Sequence, residues 1–175
     1  GLQPLLVGGL SGARKARERC PDALWIADVK AADVGHVLRH VVDTLLTVFD
    51  KVIAHGFVGF EGALEAVEDV ADRLILVAFM SHPGSQSTLD RMASAMVQVI
   101  EALKPWGVVA PATRPHVIRW LRSVLSYRPV ILAPGVGPQG AQPGDALCAG
   151  ADYEIVGRLV TEAPNREGAL DQVMA

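Results

Sequence analysis

The hydrophobic positions of this 175-residue chain form short runs that alternate with longer amphipathic stretches. The runs are rich in β-branched residues and are bounded by glycine, proline or charged residues, which is typical of buried strands. We therefore expect six strands, at Leu24–Lys30, Lys51–His55, Leu74–Met80, Gly107–Pro111, Pro129–Pro134 and Tyr153–Gly157.

The stretches between these runs have the period of a helix. Apolar residues recur at i, i+3 and i+4 from Val34 onward, which predicts a helix over Val34–Phe49. The same pattern predicts helices at Gly62–Asp72, Ser87–Leu103, Pro115–Ser126, Gly144–Ala149 and Asn165–Val173. Nearly continuous apolar strands that alternate with amphipathic helices predict a parallel sheet covered by helices.

Two α/β architectures fit this order of elements. A Rossmann-type sheet requires a G-x-G-x-x-G pattern after its first strand, and the sequence has none. A (β/α)8 TIM barrel carries polar residues at the C-terminal ends of its strands, because its active site is built there. Each expected strand ends in this way, at Asp28 and Lys30, His55, Ser81-His82, Thr113, Pro134 to Gly137, and Gly157-Arg158. The sequence therefore predicts a (β/α)8 barrel in a single domain over residues 1–175.

Six expected strands are fewer than the eight of a closed barrel, and Leu2–Val7 is either the end of another element or the start of a helix. An open edge of that size would leave backbone N–H and C=O groups unpaired. We therefore expect the first strand and most of the second to lie upstream of Gly1, so that the domain is N-terminally incomplete in this chain; the alternative is that the fold is completed in another way.

Composition narrows the class of protein. Half of the residues are hydrophobic and the formal net charge is −3, which argues against a general nucleic-acid surface. The apolar runs are shorter than the roughly 18–20 residues of a membrane span. Cys20 and Cys148 have no C-x-x-C spacing and predict ordinary thiols in the reducing cytoplasm. A small anionic substrate remains compatible with an acidic protein, because a few local donors suffice to bind a phosphate.

The chemistry is concentrated at the end of the first expected strand, in a D-x-K-x-x-D pattern of Asp28, Lys30 and Asp33. Strand side chains alternate between faces, so Asp28 and Lys30 lie on the same face, and Asp33 follows where the chain turns toward a helix. Charges held away from water are costly unless they neutralise one another, so the pattern indicates a catalytic site. A surface ion pair at the strand exit is the alternative interpretation.

Taken together, the strand ends resemble those of the orotidine 5′-monophosphate decarboxylases, especially the archaeal type, over essentially the whole chain. A wider group of sugar-phosphate enzymes shares the D-x-K-x-x-D pattern. Two further motifs are much more specific to the decarboxylases, namely Met80-Ser81-His82-Pro83-Gly84 and Pro134-Gly135-Val136-Gly137-Pro138-Gln139-Gly140.

The resemblance implies decarboxylation of orotidine 5′-monophosphate to UMP and CO₂, the last step of pyrimidine nucleotide synthesis, with no metal and no organic cofactor. It implies that Lys30 protonates C6 of the pyrimidine and that Asp28 lies against the substrate carboxylate. Asp33 would reach the active site of a second subunit, so that the working unit is a homodimer. This resemblance gives no partner role to nucleic acid or to a membrane.

The resemblance also implies a set of substrate-binding residues. Ser81 would bond to the amide edge of the pyrimidine, and Gln139 and Arg158, with the backbone N–H groups after Gly157, would bind the phosphate. A helix N-terminus after the last strand would add its dipole. The loop Pro138–Pro143 would act as a lid over the phosphate. The full set is Ser81, Pro134, Val136, Gln139, Gly157 and Arg158.

One departure and two alternatives accompany this assignment. Val37 stands where the archaeal pattern has a threonine that contacts the ribose. The nearest alternative is a magnesium-dependent enzyme on the same scaffold, such as 3-keto-gulonate-6-phosphate decarboxylase or hexulose-phosphate synthase, in which Asp28 would bind the metal. The residue that distinguishes the two lies before Gly1. A non-catalytic phosphate-binding protein is the third hypothesis.

Overall fold

The computed structural model describes residues 1–174, which form two compact units. The first unit comprises Gly1–Val77 and Gln98–Trp106. Its strands β1, β2 and β3 are parallel and pair in that order. Its elements are α1 (Leu2–Arg19), β1 (Ile26–Ala31), α2 (Gly35–Leu46), β2 (Lys51–His55), two 3₁₀ segments (Gly56–Val58 and Leu64–Arg73) and β3 (Leu74–Val77).

The second unit comprises Ala78–Val97 and the residues from Gly107 onward. Helix α3 (Ala93–Leu103) begins in this unit and ends in the first. Strands β4, β5 and β6 are parallel and pair in that order. The other elements are 3₁₀ turns at Pro83–Ser87 and Leu89–Met92, β4 (Gly107–Val109), α4 (Pro115–Val124), β5 (Val130–Pro134), α5 (Asp145–Cys148), β6 (Tyr153–Ile155), α6 (Arg158–Thr161) and α7 (Arg166–Met174).

Burial follows the hydrophobic pattern in both units. All four residues of β3 are buried, as are the three residues of β4. On α2 the buried stripe includes Leu38, Val42 and Leu45, which are spaced by three and four positions as the sequence predicted. Fully burying a side chain of this size contributes about 1.5–3 kcal/mol, so the stripe fixes which face of α2 packs inward.

The pairing of β1 with β2 is irregular. Ile26 and Ala27 pair with Lys51 and Val52, and the next pair is Ala31 with Ala54. Between these pairs β1 advances four residues (27 to 31) while β2 advances two (52 to 54). Residues 28–30 therefore form a bulge on β1, which is the segment that contains the acid and the amine of the D-x-K-x-x-D pattern.

Two of the expected helices are irregular in the structure. The segment expected as a helix at Gly62–Asp72 is the 3₁₀ segment Leu64–Arg73, which non-helical backbone angles at Val67 and Val70 interrupt. In the stretch expected as Ser87–Leu103, the α-helix begins only at Ala93, after two 3₁₀ turns. The short tight turns place apolar residues close to helical spacing, so periodicity does not distinguish the two forms.

Helix α1 is longer than the sequence indicated. It extends over Leu2–Arg19, but it has no buried residue and Gly9 has a non-helical φ of 59°. A helix that buries no face needs no apolar stripe, so this part of the sequence has no helical periodicity. Glycines at positions 8, 9 and 12 also lower its helix propensity. Within residues 1–174, no helix is long and apolar enough to cross a membrane.

Candidate active site

An ion pair lies at the C-terminal end of β1. Lys30 Nζ is 2.6 Å from Asp28 Oδ1, and both side chains are a little over one third exposed. The sequence predicted that these two residues share a face of the strand, and their contact confirms this. The pair is open to solvent on one side, so it is accessible to a small molecule.

The backbone at Lys30 is unusual. Its φ is +52°, in the left-handed region, and Lys104 is the other non-glycine residue of the described chain with a positive φ. For an L-residue this conformation costs roughly 1–2 kcal/mol. Bulges beside active sites re-aim side chains, and backbone strain is often retained where function requires it. The strained bulge thus sets the direction in which the Lys30 ammonium points.

Asp33 does not join this pair within the chain. Its Oδ1 accepts a hydrogen bond from the backbone N–H of Val34 at 2.8 Å, and Asp33 is exposed. Among residues 1–174 the carboxylate that contacts Lys30 is that of Asp28. Within its own chain the short Asp33 side chain bonds to its own turn, and its expected role in the active site of a second subunit stays a prediction.

His55 lies at the end of β2 and interacts electrostatically with the same pair. Its ring centroid is 4.7 Å from that of Phe57, and its Nδ1 atom is buried without a hydrogen-bond partner. Burial lowers the pKa of the imidazole, and the positive charge of Lys30 lowers it further, while Asp28 acts in the opposite direction. Burial and the charge of Lys30 therefore both favour the neutral form of His55.

The second unit contains a small pocket at the ends of β5 and β6. Its volume is about 190 Å³. The pocket contains five of the six substrate-binding residues that the sequence predicted. The lining residues are Pro134, Gly135, Val136, Pro138, Gln139, Ile155, Gly157 and Arg158. These residues therefore come from the ends of two strands, β5 and β6, which meet at one edge of the sheet because the strands are parallel.

Ser81, the sixth residue, is connected to this pocket by a hydrogen bond. Its Oγ donates to Gln139 Oε1 at 2.8 Å. The family resemblance implies separate roles for the two residues, one at the pyrimidine and one at the phosphate. Their contact makes the position of each depend on the other.

Arg158 carries the positive charge of the pocket. It is exposed, and none of the salt bridges within residues 1–174 involves it. Among the described residues, no Asp or Glu lines the pocket. An uncompensated guanidinium in such a pocket favours an anion that can accept two parallel hydrogen bonds. Helix α6 has only four residues, so its dipole contributes less than the sequence suggested.

The loop that follows β5 is folded back on itself. Gly137 donates to Ala141 O at 2.9 Å, and Ala141 donates to Gly135 O at 3.2 Å. Gly135 has a φ of 121°, and a Cβ at that position would lie 3.2 Å from a methyl carbon of Thr113. A side chain would therefore be strained and crowded at this position, so the geometry requires glycine at position 135.

The described residues contain no arrangement that would hold a metal ion. Within residues 1–174 no group of three or more His, Cys, Asp or Glu side chains has the geometry of a metal site. Cys20 and Cys148 are free and exposed.

Comparison with known proteins identifies the family. The model of a family described as the orotidine 5′-phosphate decarboxylase / HUMPS family matches residues 2–173. The chain belongs to this family. A curated relative from Aeropyrum pernix, named orotidine 5′-phosphate decarboxylase, is 46% identical over 97% of the chain and 72% of its own length.

Solved structures agree with the family. The crystal structure of the orotidine 5′-monophosphate decarboxylase from Sulfolobus solfataricus has a TM-score of 0.87 and 36% identity, over 97% of this chain and 80% of that one. The enzyme from Methanocaldococcus jannaschii complexed with the inhibitor BMP has a TM-score of 0.86 and 32% identity, over 97% and 81%. This likeness confirms the α/β class and the TIM-barrel fold, of which residues 1–174 contain six strands.

The family settles the class of reaction. The curated relatives are named for the decarboxylase of pyrimidine synthesis, so the chain is a carboxy-lyase of that type. Nothing in the comparisons supports the magnesium-dependent alternative. The names of these relatives do not state the roles of individual residues.

Sequence reasoning assigns no catalytic or binding role to four residues near these sites. The sequence marks His55 only as a polar residue at a strand end, and it does not distinguish Ser85, Asp90 and Arg114 from their neighbours. Ser85 and Arg114 both bond to the carbonyl of Met80. No local pattern marks such contacts, because the partners lie on different turns and strand ends.

We predict that Lys30→Gly is more stable than Lys30→Ala. Both variants lose the amine, but glycine adopts a positive φ without steric cost, which outweighs its larger loss of chain entropy. The expected difference in the free energy of unfolding is about 0.5–1 kcal/mol, measured by urea denaturation at equal m. The exposed Lys104, with a φ of 50°, is the matched control, and its two variants should differ with the same sign. An alanine variant at position 30 as stable as the glycine variant would show that the backbone there is unstrained.

Proposed function

We propose that the Lys30–Asp28 ion pair performs the chemistry of the decarboxylation. The observation that carries this proposal is the 2.6 Å contact on a strained bulge at a strand end. Heterolysis of the bond between C6 and the carboxylate leaves an electron pair on C6 as CO₂ departs. That pair lies in the plane of the ring and cannot delocalise into the π system, so it needs a positive charge close by.

Lys30 meets this need in two ways. Its ammonium is a preorganised charge that stabilises the carbanion as it forms. The same group then transfers a proton from Nζ to C6, which gives UMP, and the neutral amine regains a proton from solvent. The required stabilisation is large, toward the top of the ~8–23 kcal/mol that enzymes supply. In this proposal no metal ion or organic cofactor takes part.

Asp28 has a different role. It bonds to Lys30 and so orients the ammonium. A carboxylate beside the substrate carboxylate also disfavours the ground state by like-charge contact, and this contact is relieved as CO₂ leaves. The pair therefore combines an attractive charge for the intermediate with a repulsive one for the substrate.

Recognition of the nucleotide is assigned to the pocket of the second unit. Arg158 and the backbone near Gly157 bind the phosphate, Pro134 and Val136 line the apolar wall, and Ser81 bonds to the pyrimidine amide edge. Gln139 accepts from Ser81, so its NH₂ group is left to donate to an oxygen of the substrate. The loop Pro138–Pro143 closes over the phosphate in this proposal.

The working unit is inferred to be a homodimer in the cytoplasm, to which Asp33 contributes across the interface. Its carboxylate is exposed and does not contact Lys30 of its own chain, and the adjacent Val34 is about half exposed. The two free thiols are in keeping with a reducing compartment.

We predict that sedimentation equilibrium gives the mass of a dimer and that Asp33→Arg shifts it to a monomer. A monomeric mass for the unaltered enzyme would contradict the dimer.

We predict that Lys30→Ala reduces kcat by at least about 10³-fold, because it removes both a general acid and a stabilising charge. UMP affinity, measured by calorimetry, should change far less, since the phosphate is bound elsewhere on the chain. Assays contain EDTA, so that metal-dependent turnover is not counted. Lys104→Ala is the matched control and should retain full activity. Substantial turnover by Lys30→Ala would exclude Lys30 as the proton donor.

We predict that Arg158→Ala raises KM for orotidine 5′-monophosphate at least about tenfold. A charged hydrogen bond contributes roughly 1.5–3 kcal/mol, and about 1.4 kcal/mol corresponds to a factor of ten. Turnover of the unphosphorylated nucleoside, although slow, should change little. Arg166→Ala, at an exposed position on α7, is the control. If both substrates suffer equally in Arg158→Ala, the phosphate binds at another place.

A further inference from the structure

The backbone carbonyl of Met80 is bonded from two sides. Ser85 Oγ donates to it at 2.8 Å, and Arg114 Nη1 makes a longer contact at 3.5 Å. Met80 directly precedes Ser81, whose hydroxyl bonds to Gln139. Two residues outside the pocket therefore act on the peptide group that carries Ser81.

Ser85 is fully buried in the 3₁₀ turn Pro83–Ser87. A buried hydroxyl costs stability unless it finds a partner, and its partner here is the Met80 carbonyl. Its neighbour Ser87 makes a similar hydrogen bond, to Gly84 O at 2.9 Å, but it is exposed and does not contact Met80. The two serines differ chiefly in burial and in the carbonyl that they bind.

Arg114 connects two segments of the second unit. Its side chain is 13% exposed, and the guanidinium donates from both terminal nitrogens to the carboxylate of Asp90 in the turn Leu89–Met92. A buried ion pair of this kind adds little net stability. It fixes the geometry, because the planar guanidinium donates its two parallel hydrogen bonds to the carboxylate in only one arrangement. The nitrogen that faces Met80 is thus held in place by Asp90.

Fixing the Met80 carbonyl also fixes Ser81. The peptide group is planar, so the direction of the carbonyl determines the plane in which Ser81 N and Cα lie. We propose that Ser85 and Arg114 are positioning residues that set the location of the Ser81 hydroxyl against Gln139 and the pyrimidine edge. This inference rests on the role proposed above for Ser81.

The contact between Ser81 and Gln139 makes the consequence measurable. If Ser85 acts through Ser81, its removal matters only while the Ser81 hydroxyl is present. If Ser85 merely supports the fold, its removal has the same effect on ligand binding in either background. A double-mutant cycle separates these cases.

The experiment measures UMP dissociation constants by calorimetry and KM for orotidine 5′-monophosphate in the intact enzyme. Ser85→Ala and Arg114→Lys should each weaken both about three- to tenfold, the effect of one misaligned hydrogen bond. Ser87→Ala is the control for the serine. Arg122→Lys is the control for the arginine, since Arg122 also pairs with an aspartate, Asp152, but bonds to carbonyls before β5 and β6. Both controls should bind UMP within twofold of the unaltered enzyme.

In the Ser81→Ala background, Ser85→Ala should change the UMP dissociation constant by less than twofold. An equal loss in both backgrounds would overturn the inference, and so would unaltered binding by Ser85→Ala and Arg114→Lys while Ser81→Ala is impaired. Unaltered binding by Ser81→Ala would instead overturn the role of Ser81, and the positioning role with it. If one of the two positioning variants does not fold, the other decides.

Discussion

The bulge on β1 is the constraint on which the proposed chemistry depends. A regular parallel pair would align residues 28–30 with β2 one for one, and Lys30 would have an ordinary strand φ. Instead β1 advances four residues against two on β2, and Lys30 takes a φ of +52°. The cost of roughly 1–2 kcal/mol is a noticeable share of a typical domain stability of 5–15 kcal/mol. The bulge brings Lys30 Nζ to 2.6 Å from Asp28 and leaves the pair accessible.

Much of this arrangement is predictable from the sequence because it depends on local rules. Strand alternation predicts that Asp28 and Lys30 lie close together, and they are in contact, although through a bulge rather than a regular strand. The apolar stripe of α2 predicts its buried face, and Leu38 and Val42 lie there. Glycine at positive φ is a local requirement too, so the Pro-Gly-Val-Gly turn can be recognised from its residue types alone.

The remainder depends on contacts between distant parts of the chain. Nothing local to Ser81 indicates that its hydroxyl bonds to Gln139, which lies 58 positions away. The ion pair of Asp90 with Arg114 likewise joins two turns that the sequence separates by 24 positions. Helix α1 is not predicted for a different reason. It buries no residue, so its sequence has no apolar stripe. Asp33 bonds to the backbone of its own turn, and its role across a subunit interface stays a prediction.

The arginines of the second unit show how charge is divided between structure and binding. Arg114 and Arg122 are largely buried, and each is neutralised by an aspartate and satisfied further by backbone carbonyls. Their charges are therefore neutralised within the protein and are not available to a ligand. Arg158 is exposed, lines a pocket without carboxylates and takes part in none of the salt bridges of the described residues. A guanidinium left in this state can offer a dianion two parallel donors without breaking an ion pair of the described residues. The acidic partners thus distinguish Arg114 and Arg122, which are paired, from Arg158, the proposed phosphate-binding residue in the pocket.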